Sequence, residues 1–259
     1  ELLAYPVDKG SGATTSLSDA DGTVTVPADT AYLDRDESVE VDLFSPDVRP
    51  PSLLGVGDPD PVFFELLDAL PHPRFLPVGS REGLRRLGEG VPDVVLVAGP
   101  IDDPPDAVAL GGWSREWGLV VPADNPLGIE GIDSLVDEDR SFVNLDAGSG
   151  LRASLEEKLE TLAEERDTSR QALAADIVGY DLTASGYESP ARSVAAGDAD
   201  VGLGLRSTAA SLGLGFVPLG MQDVRVLADP DRIEKAAVDS LASEIERIDH
   251  SQFPGVEPQ

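Results

Sequence analysis

The sequence predicts an α/β fold that is divided into two lobes and preceded by a small β module. From residue 53 onward, apolar runs of strand length alternate with stretches of helical periodicity. The near-continuous apolar character of those runs is typical of parallel strands that helices cover on both faces. With 259 residues, 41% of them hydrophobic, the chain can bury a sizeable core.

The first 47 residues form the predicted β module. They hold short alternating runs at 22–27 and 38–44, which Gly, Pro and Asp turns separate. Prolines at 46, 50 and 51 exclude a helix or a central strand there. The predicted domains are therefore residues 1–47, a linker at 48–52 and a larger domain at 53–259.

The first half of the larger domain is predicted to alternate strand and helix. Asp60 and Pro61 supply an N-cap and a first-turn proline for one helix, and Ser80 begins a second helix. The predicted strands are 53–57, 75–78 and 93–98.

The second half repeats this order. The turn at 148–150 opens a long helix, and Ser189 begins another helix that Gly197 closes. We expect a terminal amphipathic helix within 231–247, and we expect the chain to cross between the lobes near 118–122 and 213–218. The predicted strands are 118–121, 141–145, 201–205 and 216–219.

The charge of the chain is strongly negative. Lys and Arg number 19 against 49 Asp and Glu, which gives a formal net charge of −30. Such a charge repels nucleic acid and anionic lipid, so neither is an expected partner. Concentrated salt would screen the self-repulsion, which predicts a halophilic protein with a surface of solvated carboxylates.

Targeting and crosslinking signals are absent from the sequence. It has no cysteine and no run close to the roughly 18 apolar residues that a membrane helix needs. Its first residues lack the basic and apolar regions of a secretory leader, so we expect a cytoplasmic location and no membrane attachment. The missing initiator methionine indicates a piece of a longer chain.

Two Gly-Ser turns are the strongest candidates for a binding site. Gly79 and Ser80 form one turn, and residues 148–150 form the other; each follows a predicted strand and opens a helix. Helix N-termini offer free N–H groups and positive dipole ends, glycine lets a ligand approach, and Arg152 can add a permanent charge. The pair predicts an oxyanion site lined by Gly79, Ser80, Gly148, Ser149, Gly150 and Arg152. The alternative is that both serines only cap their helices.

The same cleft has further candidates in Ser189, Asp58, Arg115 and Glu188. Ser189 begins another helix beside Glu188, and Arg115 lies between Trp113 and Trp117, for which packing is the favoured role. A catalytic centre and a metal site are not expected. The histidines, His72 and His250, form no recognisable triad or ligand set, and cysteine is missing.

Five groups of residues along the larger domain resemble the cytoplasmic "periplasmic-binding-protein-like" domain. The resemblance covers about residues 53–220 and implies the two-lobed type 2 periplasmic-binding-protein-like fold of molybdate, sulfate and LysR-type effector-binding domains. The groups are 79–84, 115–119, 125–129, 142–144 with 148–152, and 196–204.

The β module resembles the carboxyl-terminal β-barrel domain of a molybdopterin molybdotransferase of haloarchaeal type. The resemblance lies in residues 6–17, which include 9–13, and in the runs at 20–27 and 37–44. It implies that catalytic domains precede this chain in the parent enzyme, which inserts molybdate into adenylylated molybdopterin, and it allows for a homodimer.

The two resemblances together imply that the cleft takes molybdate or tungstate, with no cofactor resident in this chain. Two alternatives remain open. The domain could be a regulatory module that binds a small organic effector such as a pterin or molybdopterin, or that passes a signal to a partner. It could instead be a structural tail of the transferase.

The chain departs from the family pattern at several positions, one of which is the missing histidine after Gly99. Where relatives carry Gly-Ser-His-Asp-Pro after the first strand, Asp58 and Pro59 replace the hydroxyl donor and the histidine. Leu145 and Leu151 stand where an arginine and a threonine are common. Because a carboxylate repels an anion, either the ligand differs from that of the relatives or the pocket has partly lost its function.

Overall fold

A computed structural model describes residues 4, 20–34, 37–100 and 104–259. The chain divides into two compact units, residues 1–51 and 52–259. The motif predicted at residues 6–17 lies outside the described residues.

The first unit contains a two-stranded antiparallel sheet within its described part. Strand β1 (Gly22–Val24) pairs with β2 (Val41–Leu43), and Gly22 lies opposite Leu43. Both strands fall inside the alternating runs that predicted them.

The second unit alternates strands and helices. Its strands are β3 (Leu53–Gly57), β4 (Pro73–Pro77), β5 (Val94–Ala98), β6 (Val108–Val121), β7 (Phe142–Leu145), β8 (Thr183–Ala184), β9 (Val201–Leu205), β10 (Gly215–Ala228) and β11 (Val256–Pro258). Its helices are α1 (Pro61–Asp68), α2 (Ser80–Gly88), α3 (Asp133–Asp137), α4 (Gly150–Glu165), α5 (Arg170–Asp176), α6 (Ser189–Ala196), α7 (Arg206–Ser211) and α8 (Ala236–Arg247). Short 3₁₀ turns lie at Pro230–Arg232 and His250–Gln252.

Local signals place several of these helices as the sequence predicts. The side chain of Asp60 caps α1 by accepting hydrogen bonds from the N–H groups of Val62 and Phe63. Gly197 ends α6 in the left-handed conformation, with a φ of 78°. Both signals depend only on neighbouring residues, so they operate without help from the rest of the fold.

The strands of the second unit form one sheet with a repeated order. One part runs β4-β3-β5-β10 and the other runs β8-β7-β9-β6, and β10 and β6 join them as antiparallel neighbours. In each part the first three strands are parallel, and the fourth is antiparallel to its neighbour. We call residues 52–113 and 224–259 lobe A and residues 117–219 lobe B. The two-lobed α/β prediction is confirmed.

Two long strands carry the chain between the lobes. Strand β6 pairs with β11 at residues 113–115 and with β9 at 117–120, while β10 reaches β5 only from Val224 onward. The crossing therefore lies at 114–116 and 220–223, nearer the middle of each strand than the predicted 118–122 and 213–218. The prediction had recognised only one apolar end of each strand, because glycines and polar side chains interrupt the apolar pattern in the middle.

Each lobe has its own hydrophobic core. In lobe A, Phe63 and Leu241 pack with the strands on one face of the sheet. In lobe B, Phe142 and Leu155 belong to a second cluster. Separate cores leave the interface between the lobes free for polar groups. No helix in the described part of the chain is long and apolar enough to cross a membrane.

Candidate functional site between the lobes

The two Gly-Ser turns predicted from the sequence meet between the lobes. A Cβ atom built on Gly79 would lie 2.2 Å from the carbonyl oxygen of Gly148, and Gly79 has a φ of 80°. A Cβ atom on Gly150 would lie 2.3 Å from the carbonyl oxygen of Ala98. Any larger residue would push these loops apart, so glycine sets how closely the lobes approach.

Asp58 occupies the centre of the lobe interface. It follows β3 of lobe A, and its carboxylate accepts a hydrogen bond of 2.5 Å from the backbone N–H of Gly150, the first residue of α4 in lobe B. The hydroxyl of Ser80 lies 3.1 Å from the same carboxylate oxygen, and a guanidinium nitrogen of Arg115 lies 3.6 Å from the other. Only 2% of Asp58 is exposed. A protein carboxylate thus holds the N–H group that an oxyanion would use.

Ser80 points into the protein rather than into an open cleft. Its Oγ accepts a hydrogen bond of 2.9 Å from the N–H of Ala98. Its single proton has two acceptors in reach, Asp58 and the carbonyl oxygen of Ala98, the latter at 3.2 Å. Both functions of the hydroxyl are therefore used within lobe A.

Arg115 and Gln222 extend the cluster through the two crossing segments. The guanidinium of Arg115 donates to Asp60 at 2.7 Å and to the side-chain oxygen of Gln222 at 2.9 and 2.7 Å. The amide nitrogen of Gln222 then donates to the carbonyl oxygen of Gly150 at 2.9 Å and to Ser154 at 2.7 Å. Gly150 is thus bound through both its N–H and its C=O.

The environment of Asp58 shifts its titration. Burial raises the pKa of Asp58 above its ordinary value, and the negative charge of Asp60 acts in the same direction. Arg115, the N–H of Gly150 and the hydroxyl of Ser80 oppose that increase in the pKa because they stabilise the carboxylate. Burial prevails, so proton uptake by Asp58 is easier than for a solvated aspartate.

An outer cleft of about 110 Å³ remains above this inner cluster. The ring of Tyr187 from lobe B lies 6.0 Å from that of Phe64 in lobe A, centroid to centroid. Burial, followed by the nearby carboxylates of Glu188 and Asp60, raises the pKa of Tyr187, which keeps its hydroxyl protonated. The lining residues are Pro59, Pro77, Val78, Gly79, Leu145, Asp146, Gly148, Ser149, Ser185 and Tyr187.

Arg152 lies within lobe B. Its Nε donates to Glu156 at 2.9 Å, and its Nη1 donates to the carbonyl oxygen of Tyr180 at 3.2 Å. The guanidinium also stacks 4.0 Å from the centre of the Tyr180 ring. These contacts tie α4 to the segment before β8, and its predicted contact with a ligand stays a prediction.

The other predicted site residues occupy different depths. Ser149 caps α4 by accepting from the N–H of Leu151 at 3.2 Å, and it also lines the outer cleft. Its predicted contact with a ligand stays a prediction. Ser189 is half-buried at the start of α6. Glu188 accepts from the hydroxyl of Tyr187 at 3.2 Å and from Arg192 at 2.6 Å.

Sequence reasoning did not identify Gln222, Ser154 or Tyr187. Gln222 had a usable signal, because it is a polar residue close to the predicted apolar strand 216–219. The structure adds that it lies opposite Arg115 in the register of β10 and β6. Ser154 and Tyr187 had none, since their positions matter only once the lobes are packed. Among the described residues, no three His, Cys, Asp or Glu side chains gather as metal ligands.

Two family models match this chain. Residues 101–246 match the PBP superfamily domain, and residues 1–44 match the MoeA C-terminal region (domain IV). YvgK of Bacillus subtilis (strain 168), an uncharacterized protein, is 32% identical over 145 residues, which are 55% of this chain. The match spans only 44% of YvgK.

Solved structures share the fold. Reduced OxyR from N. meningitidis has a TM-score of 0.57 at 18% identity, over 80% of this chain and 98% of that one. A Clostridium perfringens transporter substrate-binding protein with bound phosphate has a TM-score of 0.54 at 12% identity, over 74% and 92%. The effector-binding domain of QuiR in complex with shikimate has a TM-score of 0.52 at 14% identity, over 73% and 92%. The PBP superfamily model matches more than half of the residues of this chain, so the chain belongs to the PBP superfamily.

Proposed function

We propose that residues 52–259 bind a small ligand between their two lobes and serve a molybdenum-cofactor biosynthesis protein, to which residues 1–44 also belong. The family matches at both ends of the chain support this combination. The proposed position of the ligand is the usual one in open α/β sheets, in which ligands bind beyond the carboxyl ends of the strands. Two relatives of this fold were solved with phosphate and with shikimate, which supports a ligand in the same place here.

A molybdate- or tungstate-type oxyanion is the ligand that the sequence favours. The N-termini of α2 and α4 face the interface, and no side chain caps α2. However, Asp58 holds the N–H of Gly150, and Asp60 already pairs with Arg115. A doubly charged anion would have to displace Asp58 or bind after its protonation, and both cost free energy.

A small polar organic molecule suits the outer cleft better. Pro59, Leu145 and the Tyr187 ring supply apolar walls, and Asp146 and Ser185 supply exposed polar groups. A heterocycle that carries N–H donors, such as a pterin, would stack on the tyrosine and donate to the carboxylate. The observation that carries this choice is the occupation of the inner anion position by Asp58.

The cleft must widen to admit such a molecule. Its volume of about 110 Å³ is smaller than the volume of several hundred Å³ that is typical of ligand pockets. Separation of the lobes about the crossing segments would supply the space, as in hinged binding proteins.

Isothermal titration calorimetry of the 259-residue chain in concentrated KCl tests the proposal. We expect saturable heat with pterin, and we expect Asp146→Asn to weaken binding about tenfold through loss of one charged acceptor. Glu157→Gln, on the exposed face of α4, is the matched control and should bind as the parent does. Heat with sodium molybdate but not with pterin would instead identify an oxyanion as the ligand. No heat with pterin, molybdate or tungstate would reject the ligand-binding function.

A further inference from the structure

We propose that Asp58 is a built-in anion: its carboxylate occupies the innermost anion position of the lobe interface and holds the lobes closed when no ligand is bound. This inference goes beyond ligand binding, because it concerns what holds the two lobes together. It assigns the departure from the Gly-Ser pattern after β3 a positive role rather than a loss.

The first step of the argument is the bond between Asp58 and Gly150. The N-terminus of a helix attracts negative charge through its unpaired N–H groups and the positive end of its dipole. The carboxylate of Asp58 takes the Gly150 N–H at 2.5 Å from across the interface. It therefore makes the contact that a bound anion would make in a ligand-closed protein.

The second step is that the carboxylate is held in place. The backbone N–H of Asp58 donates to the carbonyl oxygen of Leu96 at 2.9 Å, directly after β3, so the residue is fixed at the sheet edge. A covalently attached group competes with a free ion at high effective concentration. A dissolved anion can thus displace Asp58 only if it makes considerably better contacts.

The third step is the closure around Gly150. Gln222 of the crossing segment binds its carbonyl oxygen, while Asp58 binds its N–H. The Cα of Gly150 packs on the backbone of Ala98 in lobe A. The first turn of α4 is therefore seated on lobe A and on the hinge at the same time, which is the arrangement expected of closed lobes.

The fourth step is the charge around the carboxylate. Asp58 and Asp60 share the single guanidinium of Arg115, and Ser80 and Gln222 contribute neutral dipoles. The cluster already carries one more negative than positive charge. A further anion would be repelled, so the same aspartate that closes the lobes also selects against oxyanions.

The absence of cysteine allows the test to be made in the whole chain. Two exposed positions, Asp68 in lobe A and Lys158 in lobe B, are changed to cysteine and spin-labelled. The distance between the two labels is measured by pulsed electron paramagnetic resonance. Without any ligand, the otherwise unmodified chain should give one narrow distance that sodium molybdate or sodium phosphate leaves unchanged.

The variant Asp58→Ser removes the charge and supplies a hydroxyl donor. We expect a longer and broader distance distribution in the absence of anions, and we expect molybdate or phosphate to return it to the parental distance. Asp139→Ser, which removes an exposed carboxylate of the loop before β7, is the matched control and should keep the parental distance.

Two results would overturn the proposal. One is an Asp58→Ser protein with the parental distance and no response to either anion. The other is an unmodified protein that is open without ligand. If thermal melting shows that Asp58→Ser does not fold, Asp58→Asn replaces it, and a parental distance distribution in that variant would overturn the proposal equally. None of these distance measurements depends on pterin binding, so the proposal can fail while the proposed function stands, and the reverse.

Discussion

The carboxylate of Asp58 accepts a hydrogen bond of 2.5 Å from the N–H of Gly150, and this bond joins the first strand of lobe A to helix α4 of lobe B. The two residues are 92 positions apart in the chain. Their contact places a carboxylate at the N-terminus of α4, between the two lobes.

Gly150→Ala should destabilise the protein. Alanine normally favours a helix over glycine by about 1 kcal/mol, but here its Cβ would lie 2.3 Å from the carbonyl oxygen of Ala98. We expect the free energy of unfolding to fall by about 1–3 kcal/mol, measured by urea denaturation. Gly131→Ala is the control, since nothing lies within 4 Å of a Cβ at that position. Equal stabilities of Gly150→Ala and the parent would mean that the lobes are not packed as described.

Asp58→Asn should change the pH dependence of stability. Burial raises the pKa of Asp58 from 3.8, so the folded protein binds more protons than the unfolded chain between the two values. The parent therefore loses stability as pH rises through that interval, and the asparagine variant does not. The stability of the variant minus that of the parent should increase with pH above about 4, by at most about 1.4 kcal/mol per pH unit.

Asp249→Asn provides a control of opposite sign. Hydrogen bonds from Ser251 lower the pKa of the exposed Asp249, so the parent gains stability as pH rises towards 3.8. The stability of Asp249→Asn minus that of the parent should therefore fall as the pH rises towards 3.8. Urea titrations across pH 3–7 measure the stability of both variants and of the parent. A stability difference between Asp58→Asn and the parent that does not change with pH would contradict the assigned burial effect.

Gln222→Ala should be among the costly substitutions in this domain. It removes the acceptor of two Arg115 hydrogen bonds and the donor to Gly150 and Ser154, all of which are buried. Unpaired buried polar groups and a cavity should lower the free energy of unfolding by about 2–4 kcal/mol. Gln171→Ala, on an exposed position of α5, should stay within about 0.5 kcal/mol. A small effect at Gln222 would show that water replaces the amide.

Arg152→Ala should reduce stability through contacts inside lobe B. The side chain binds Glu156 and stacks on Tyr180, and only 7% of the residue is exposed. We expect a loss of about 1–3 kcal/mol in thermal or urea unfolding. Arg247→Ala, whose exposed side chain pairs with Glu244, should cost less than about 0.5 kcal/mol. Loss of ligand binding without loss of stability would instead support the ligand contact predicted from the sequence.

Concentrated KCl should stabilise the protein. The net charge of −30 produces self-repulsion in the compact state, and salt screens it. The melting temperature should rise from low salt to molar KCl by differential scanning fluorimetry. A melting temperature that falls over this range would contradict the halophilic interpretation of the composition.

Much of the architecture follows from local patterns. The run at 53–57 forms β3, Asp60 caps α1, and Gly197 ends α6, because each signal depends on neighbouring residues only. The middle parts of β6 and β10 escaped notice. Their glycine and polar residues lack strand character until the two strands pair with each other.

The candidate site was predictable in part. Strand order brings Gly79 to Gly148, as expected for loops that follow parallel strands. The direction of each side chain was not predictable, since Ser80 bonds within lobe A, and Arg152 stacks on Tyr180 rather than standing free.

The sequence by itself determined the two-lobed α/β plan, the glycines that let the loops meet and the unusual aspartate after the first strand. Only the tertiary structure decided what that aspartate does. Its partners Gly150 and Arg115 come from distant parts of the chain, and a carboxylate repels or replaces an anion according to the groups that packing places around it. Local patterns fix which residues form helices and strands, whereas contacts between lobes arise only when the two cores are brought together.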